Sequence, residues 1–248
     1  MHILLSNDDS AFAQGIIAAH QALSSQYKVT VIAPDRNNSG ASNALSLHSP
    51  LRVTTLDNGF HAVNGTPSDC VQIGVNGDFM TAPDIVVSGI NHGPNLGDDV
   101  IYSGTVAAAT EGRHLGLPAI AISMHGYTNW QFATAGQVLL DLLQKLKEMP
   151  LTNTSILNVN VPNVPYQELK GVQVTRLGNR HQAENMVKDK DPFGRTIFWY
   201  GKLGPEQDAG PGTDFHAIAN GYVSVTPLSV DMTDYQAQQS LSAWMAQR

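Results

Sequence analysis

HILLSNDDS, residues 2–10, decides how the rest of the chain is read. His2 to Ser6 has the length and apolar content of a short buried strand, and it runs almost directly into the adjacent carboxylates Asp8 and Asp9. Working outward, the same kind of run recurs, predicting strands at Lys28 to Ala33, Asp84 to Ser88, Ala119 to Ser123 and Ser155 to Val161. Helical spacing between them predicts helices at Gln14 to Gln26, Ser68 to Val75, Thr105 to Leu115 and Asn129 to Met149. In the last, Trp130, Ala133, Leu140, Leu143 and Met149 approximate one apolar face. Alternation of this kind is the pattern of right-handed βαβ units around a parallel sheet.

Two local signals punctuate the alternation. Arg52 to Thr55 and Phe60 to Val63 read as a hairpin through an Asn58-Gly59 turn. Thr66-Pro67-Ser68-Asp69 reads as a helix start, with Thr66 capping and an acid in the first turn. After Gly171 the rhythm changes to strand-like runs (GVQVTRLG, RTIFWYG, YVSVTPLSV) separated by glycine and proline without long helices. Thr233 to Gln247 then reads as an amphipathic helix using Tyr235, Leu241, Trp244 and Met245. The expected class is α/β: a parallel-sheet core over residues 1–170, and an antiparallel β extension with a terminal helix over residues 171–248.

Composition narrows the partners. Fourteen basic against 21 acidic residues give a net charge of -7, which disfavours extended nucleic acid but allows a small anion where a cation neutralises it locally. Cys70 is the single cysteine, so no intrachain disulfide or thiolate cluster can form, which fits a reducing cytoplasm. MHILLSNDDS carries no basic leader and reads as a strand rather than a signal. No apolar run approaches the length of about 18 residues that a spanning helix needs, so no membrane partner is expected.

Three polar segments each follow a predicted strand: SNDDS at 6–10, APDRNNSGASN at 33–43 and SGINHGPNLGDDVIYSGT at 88–105. Loops leaving the carboxyl edge of an open parallel sheet share one crevice, so the three are expected to converge. The first brings Asp8 and Asp9, a pair suited either to a cation or to capping the following helix. The second brings Asn37, Asn38, Ser39, Ser42 and Asn43; the third brings Asn91, Asn95, Asp98 and Asp99, then Ser103-Gly104-Thr105 opening a helix. A helix start presents free amides and a positive dipole end, which suits a phosphate as well as simple capping. Carboxylate, hydroxyl and amide oxygens form a hard donor set, suited to Mg2+, Mn2+ or Ca2+ rather than zinc. His92 reads as a loop or interface residue, because the nine histidines show no HxH or HxxxH spacing. GxGxxG, GxxxxGK[ST] and GxSxG are all absent.

The segments ILLSNDD, APDRNNSGASNALSL, GTPSDCV, PDIVVSGINHGPNLGDDVIYSGTVAAATEGRHLG and AGPGTDFHAIANGYVSVTPL, in that order, resemble the SurE (survival protein E) family along nearly the whole chain. The resemblance implies a Rossmann-like core and a carboxyl-terminal β extension exchanged between subunits in a homodimer or homotetramer. It implies removal of phosphate from nucleoside 5′- and 3′-monophosphates, with action on short polyphosphate, using one divalent cation per subunit. Carried over by position, the metal ligands fall on Asp8, Asp9, Ser39 and Asn91, with Asp8 and Asp9 also the catalytic acids. Asn95, Ser103, Gly104 and Thr105 fall on the phosphate-binding neighbourhood, with Asn43 close to it. Ser10 departs from the pattern, standing where the family usually carries glycine, and is expected to restrict the loop backbone.

The chemistry these residue types support is metal-assisted hydrolysis without a covalent nucleophile, with Asp8 or Asp9 as base. A phosphoacceptor receiver module also uses an acid pair after its first strand, and Asp57 lies at a suitable distance. That residue sits in the hairpin signal Leu-Asp-Asn-Gly, however, and AIAISMH lacks the lysine such a module needs. A nucleotide-binding regulator without turnover is the other alternative.

Overall fold

The computed structural model describes residues 1–146, 148, 154–180 and 185–246. The first part of the chain forms β1 (His2–Ser6), α1 (Gln14–Leu23), β2 (Lys28–Pro34), β3 (Val53–Thr55), β4 (His61–Val63), α2 (Pro67–Asn76), β5 (Ile85–His92), α3 (Gly104–Glu111), β6 (Ala119–His125), α4 (Phe132–Leu146) and β7 (Ile156–Pro162). The remainder forms β8 (Val172–Val174), β9 (Asn179–Arg180), β10 (Val187–Lys190), β11 (Thr196–Trp199), β12 (Glu206–Asp208), α5 (Asp214–Ala219), β13 (Val223–Leu228) and α6 (Tyr235–Met245).

One sheet organises these elements, in the order β3-β4-β2-β1-β5-β6-β7-β13-β8. β4, β2, β1, β5, β6 and β7 run parallel, and β3 closes one edge as an antiparallel hairpin strand. After β1 the chain builds outward through β2 to one side, then returns to place β5 on the other side of β1. The carboxyl ends of β1 and β5 therefore flank the topological switch point, where a crevice opens in such sheets.

Both faces of the sheet are covered, which is why its strands read as continuous apolar runs. Alternate residues of β1 go to opposite faces: Ile3 and Leu5 join Ile16, Leu23, Leu139 and Leu143 under α1 and α4, while Leu4 joins Val71, Val86 and Ala108 under α2 and α3. α3 approaches closely because its core-facing side chains are small, Ala107, Ala108 and Ala109 all being buried.

The predicted core strands all appear, with β2, β5 and β6 each running further than expected. β5 runs on to His92, so Asn91 belongs to the strand rather than to the loop. Its pairing with β6 shifts between Ser88 and Asn91 at Gly89, whose φ is 131° and where an added Cβ would lie 2.2 Å from the Ile122 carbonyl oxygen. Only glycine fits there, and the bulge re-aims the residues after it. α4 starts at Phe132, and its buried stripe is Phe132, Ala135, Val138, Leu139, Leu142, Leu143 and Leu146. Of the expected face, Ala133 is exposed, because the 3.6-residue period counted from Phe132 puts it opposite the core; Trp130 and Leu140 pack against the core only in part. Met149 lies outside the described residues.

The extension is antiparallel in β10 with β11, β12 with β9, and β13 with β7. Two features were not anticipated from sequence: β8 pairs parallel with β13, and the short helix α5 intervenes. Through β13 and β8 the main sheet continues past residue 171. α6 forms with Asp234 as its cap, yet none of its residues is buried, so its apolar face is unpartnered within the described chain. Gln247, at the end of the expected helix, lies outside the described residues. Asp57 is exposed in the β3–β4 turn, away from β1. Among the described residues no helix is long and apolar enough to cross a membrane.

The start of α2 is a capping box: Thr66 Oγ1 accepts from the Asp69 amide at 3.2 Å, and Asp69 Oδ2 accepts from the Thr66 amide at 2.9 Å. Asp69 Oδ1 also accepts from the Ser46 amide at 3.0 Å, tying the second polar loop to the helix. Burial pushes the Asp69 carboxyl up, but these hydrogen bonds outweigh it and hold the group below its ordinary value of 3.8. A carboxyl depressed on folding contributes stability above its unfolded pKa and loses that contribution as pH falls through the folded value. Asp69→Asn, which keeps one acceptor of the two, is expected to lower stability by about 1 kcal/mol near neutral pH. Urea unfolding should show the gap from the parent narrowing as pH drops below 3.8. A gap independent of pH would contradict this account.

Candidate active site

The loops after β1, β2 and β5 meet as expected. Asp8, Ser39, Asn91, His92, Asn95 and Ser103 line one cleft of about 270 Å3 at the switch point. Asp8 is 4% exposed, directly beneath the start of α3. Thr105 Oγ1 donates to its Oδ1 at 2.6 Å, and its backbone oxygen accepts from the Asn38 amide at 2.7 Å, joining the first loop to the second. Burial, opposed by the Thr105 hydrogen bond and aided by the charge of Asp9, raises the Asp8 carboxyl to about 6. Gly104 rests on Asp8: an added Cβ would stand 2.7 Å from Asp8 Cβ and 3.0 Å from Oδ2.

Asp9 faces a different partner. Its Oδ2 accepts from the His92 backbone amide at 2.9 Å and lies 2.8 Å from His92 Nδ1. Asn91 donates its Nδ2 to the Gly93 carbonyl at 2.9 Å, which leaves Oδ1 as the end able to ligate. Ser39 Oγ donates to Asn37 Oδ1 at 2.7 Å and keeps its lone pairs. Ser103 caps α3, its Oγ accepting from the Val106 amide at 3.1 Å.

Asn95 has a structural commitment that the sequence did not disclose. Its Nδ2 donates to Ser123 Oγ at 2.8 Å, its amide to Asn160 Oδ1 at 2.9 Å, and its carbonyl accepts from Asn158 and Asn160. The expected phosphate neighbour thus also pins the third loop to the ends of β6 and β7. Asn43 is not brought to the cleft; it lines another groove with Ser42, Val100 and Ile101.

Several cleft residues were missed. His92, read as a loop or interface residue, ends β5 and holds Asp9; its place beside Asn91 was the available signal. Tyr102, Tyr127, Leu203 and Arg180 also line the cleft. Arg180 bonds through Nε to Asp99 at 2.9 Å and through its amide to Asp98 at 3.0 Å, and its guanidinium lies 4.8 Å from the centre of the Phe215 ring. It comes from β9 in the extension, and no motif linked it to the acid pair.

The donor set tests the fit of a cation. The candidates are carboxylate, hydroxyl and amide oxygens, and among the described residues no group of three His, Cys, Asp or Glu is placed to hold a metal. The oxygen donors themselves suit a hard divalent ion rather than zinc. The residues present fit such an ion.

The family model described as survival protein SurE matches residues 3–184. The chain is similar to a protein of Pseudoalteromonas atlantica named 5′-nucleotidase SurE, 59% identical over 245 residues and 99% of each chain. A protein of the same name from Methylococcus capsulatus is 58% identical over 248 residues, all of this chain and 99% of the other. The crystal structure of the SurE protein from Aquifex aeolicus superposes with a TM-score of 0.86 at 43% identity, covering 99% of this chain and 100% of that one.

Ser10 closes the acid loop at φ 101°, a conformation L side chains rarely adopt, while its carbonyl accepts from Asn7 Nδ2 at 2.9 Å. Glycine would relieve about 1–3 kcal/mol of backbone strain and return about 0.5–1 kcal/mol as unfolded-state entropy. Ser10→Gly is therefore expected to raise stability by about 1 kcal/mol, read as a higher urea midpoint. A lower midpoint would show that the Ser10 side chain matters more than its backbone strain.

Proposed function

The chain belongs to the SurE family, and from that premise we propose that it hydrolyses nucleoside 5′-monophosphates to nucleoside and phosphate with the help of one divalent cation. Nucleoside 3′-monophosphates and short polyphosphate extend the proposed range. The observation that carries this reading is the meeting of Asp8, Ser39, Asn91 and the start of α3 in one cleft at the switch point of the sheet.

Asp8, Asp9, Ser39 and Asn91 would hold the cation. When bound, it supplies Lewis-acid charge against the phosphoryl oxygens; Mg2+ and Mn2+ match the donor set best. The remaining work falls to the chain itself. The first turn of α3 offers its positive end to the charge that develops on the transferred group, and Ser103 keeps that turn in place. Thr105 fixes the Asp8 carboxylate, and the proton of the attacking water passes to this acid pair. Asn95, held by Ser123 and Asn160, keeps the third loop against the phosphate position.

A homodimer or homotetramer with exchanged carboxyl-terminal elements is part of the proposal. It is supported by α6, whose Tyr235, Leu241, Trp244 and Met245 are all exposed, and by the β10–β11 hairpin with exposed Phe198 and Trp199. A cytoplasmic setting is supported by Cys70, which is buried and free.

The test is phosphate release from a panel of nucleoside 5′- and 3′-monophosphates with Mn2+ or Mg2+. Release is expected with metal and abolished by chelation, and Asp8→Asn should reduce it about a hundredfold or more. Gly104→Ala, which drives a methyl group into Asp8, should lower turnover with the fold retained. No release from any nucleotide under any metal would overturn the reading.

A further inference from the structure

Each acid of the pair has its own side-chain holder. Thr105 takes Asp8 at 2.6 Å, and the imidazole of His92 takes Asp9 at 2.8 Å. A carboxylate oxygen only accepts, so Nδ1 of His92 carries the hydrogen in this pair. The His92 backbone amide donates to the same oxygen, Oδ2, at 2.9 Å. Two donors converging on one oxygen fix the plane of the Asp9 carboxylate and leave Oδ1 as its uncommitted end.

The ring that does this is itself confined. His92 meets Phe132 edge-on at 4.8 Å and 73°, and Trp130 at 5.3 Å and 82°. Trp130 and Phe132 stack on each other at 5.6 Å and 12°, so the imidazole rests on a preformed aromatic surface at the start of α4. On the α1 side, Gly15 packs against the Ile90 carbonyl, where an added Cβ would fall 1.9 Å from the oxygen and only at ordinary contact distance, 3.4 Å, from His92 Cε1. A ring held on that aromatic surface presents Nδ1 in one direction only, and side chains that orient a metal-binding carboxylate commonly act in this way. Adjacent carboxylates repel, so an unheld Asp9 would turn away from Asp8.

We propose that His92 is a positioning residue: its Nδ1–H, held in place by the packing of the ring on Trp130 and Phe132, turns Asp9 so that the free carboxylate oxygen is presented to the divalent cation. This rests on the reading of Asp9 as a cation ligand. In this role His92 acts through Asp9 and not as a ligand of the cation.

Two variants separate the hydrogen bond from the packing. H92F keeps a ring against Trp130 and Phe132 but has no donor; H92N places an amide N–H near the position of Nδ1 but has no ring. Both are made in the full chain, titrated with Mn2+ alone by calorimetry, and unfolded thermally in EDTA. H92N is expected to bind Mn2+ within about threefold of the parent, and H92F about tenfold or more weaker. In turnover, H92F should raise the Mn2+ concentration needed for half-maximal rate by a larger factor than it changes the KM for nucleotide at saturating Mn2+. In EDTA the order should reverse, H92N melting lower because it loses the aromatic contacts. Parent-like Mn2+ affinity in H92F, or equal loss in both variants, would overturn the assignment while leaving the proposed activity intact. A parent protein that takes up no Mn2+ would overturn the reading of Asp9 as a ligand and this assignment with it.

Discussion

A carboxylate buried at the end of a central parallel strand is the constraint on which the rest of this molecule depends. Asp8 is removed from water by the sheet below and α3 above, and a charge in that position needs compensation from its immediate surroundings. Thr105 supplies one hydrogen bond, and it can reach because α3 descends to contact distance. That descent is why residue 104 is glycine and why the inward face of α3 is alanine. The elevated pKa of Asp8 expresses the incomplete compensation, and a divalent cation in the adjoining cleft is the natural complement.

Around this point the polar groups of the third loop and the extension are tied down rather than left to solvent. Asp214, fully buried at the start of α5, accepts from the amides of Gly97 at 2.7 Å and of Gly178 and Phe215 at 2.9 Å each. One carboxylate thereby joins the extension to the loop that follows Asn95. The amide network of Asn95, Asn158 and Asn160 does the same from the strand side. Buried polar groups satisfied in this manner specify one arrangement, because every alternative leaves a donor or acceptor unpaired. The cleft is rigid at its floor, Asp8 to Asn95, and is bounded by the exposed Tyr102, Tyr127 and Leu203. Arg180 reaches it only because the β9 ribbon is fastened to Asp98 and Asp99.

Local patterns in the chain were enough to specify the strands of the core, the β3–β4 turn at Gly59 and the Thr66 cap of α2, since each depends on neighbours within a few residues. The identities of Asp8, Ser39, Asn91 and Ser103 as cleft residues followed from one rule, that loops at the carboxyl edge of a parallel sheet converge. The phase of α4 was misjudged because Trp130 lies before the helix starts, and a hydrophobic count does not reveal where a backbone first turns helical. What only the tertiary structure decided was which partner each polar group meets: His92 on Asp9, Thr105 on Asp8, Asn95 on Ser123, Arg180 on Asp99, and Asn43 in a different groove. These pairings span from 28 to 97 positions along the chain. They are set by strand order and by a bulge at Gly89, and neither leaves a periodic trace in the amino-acid sequence.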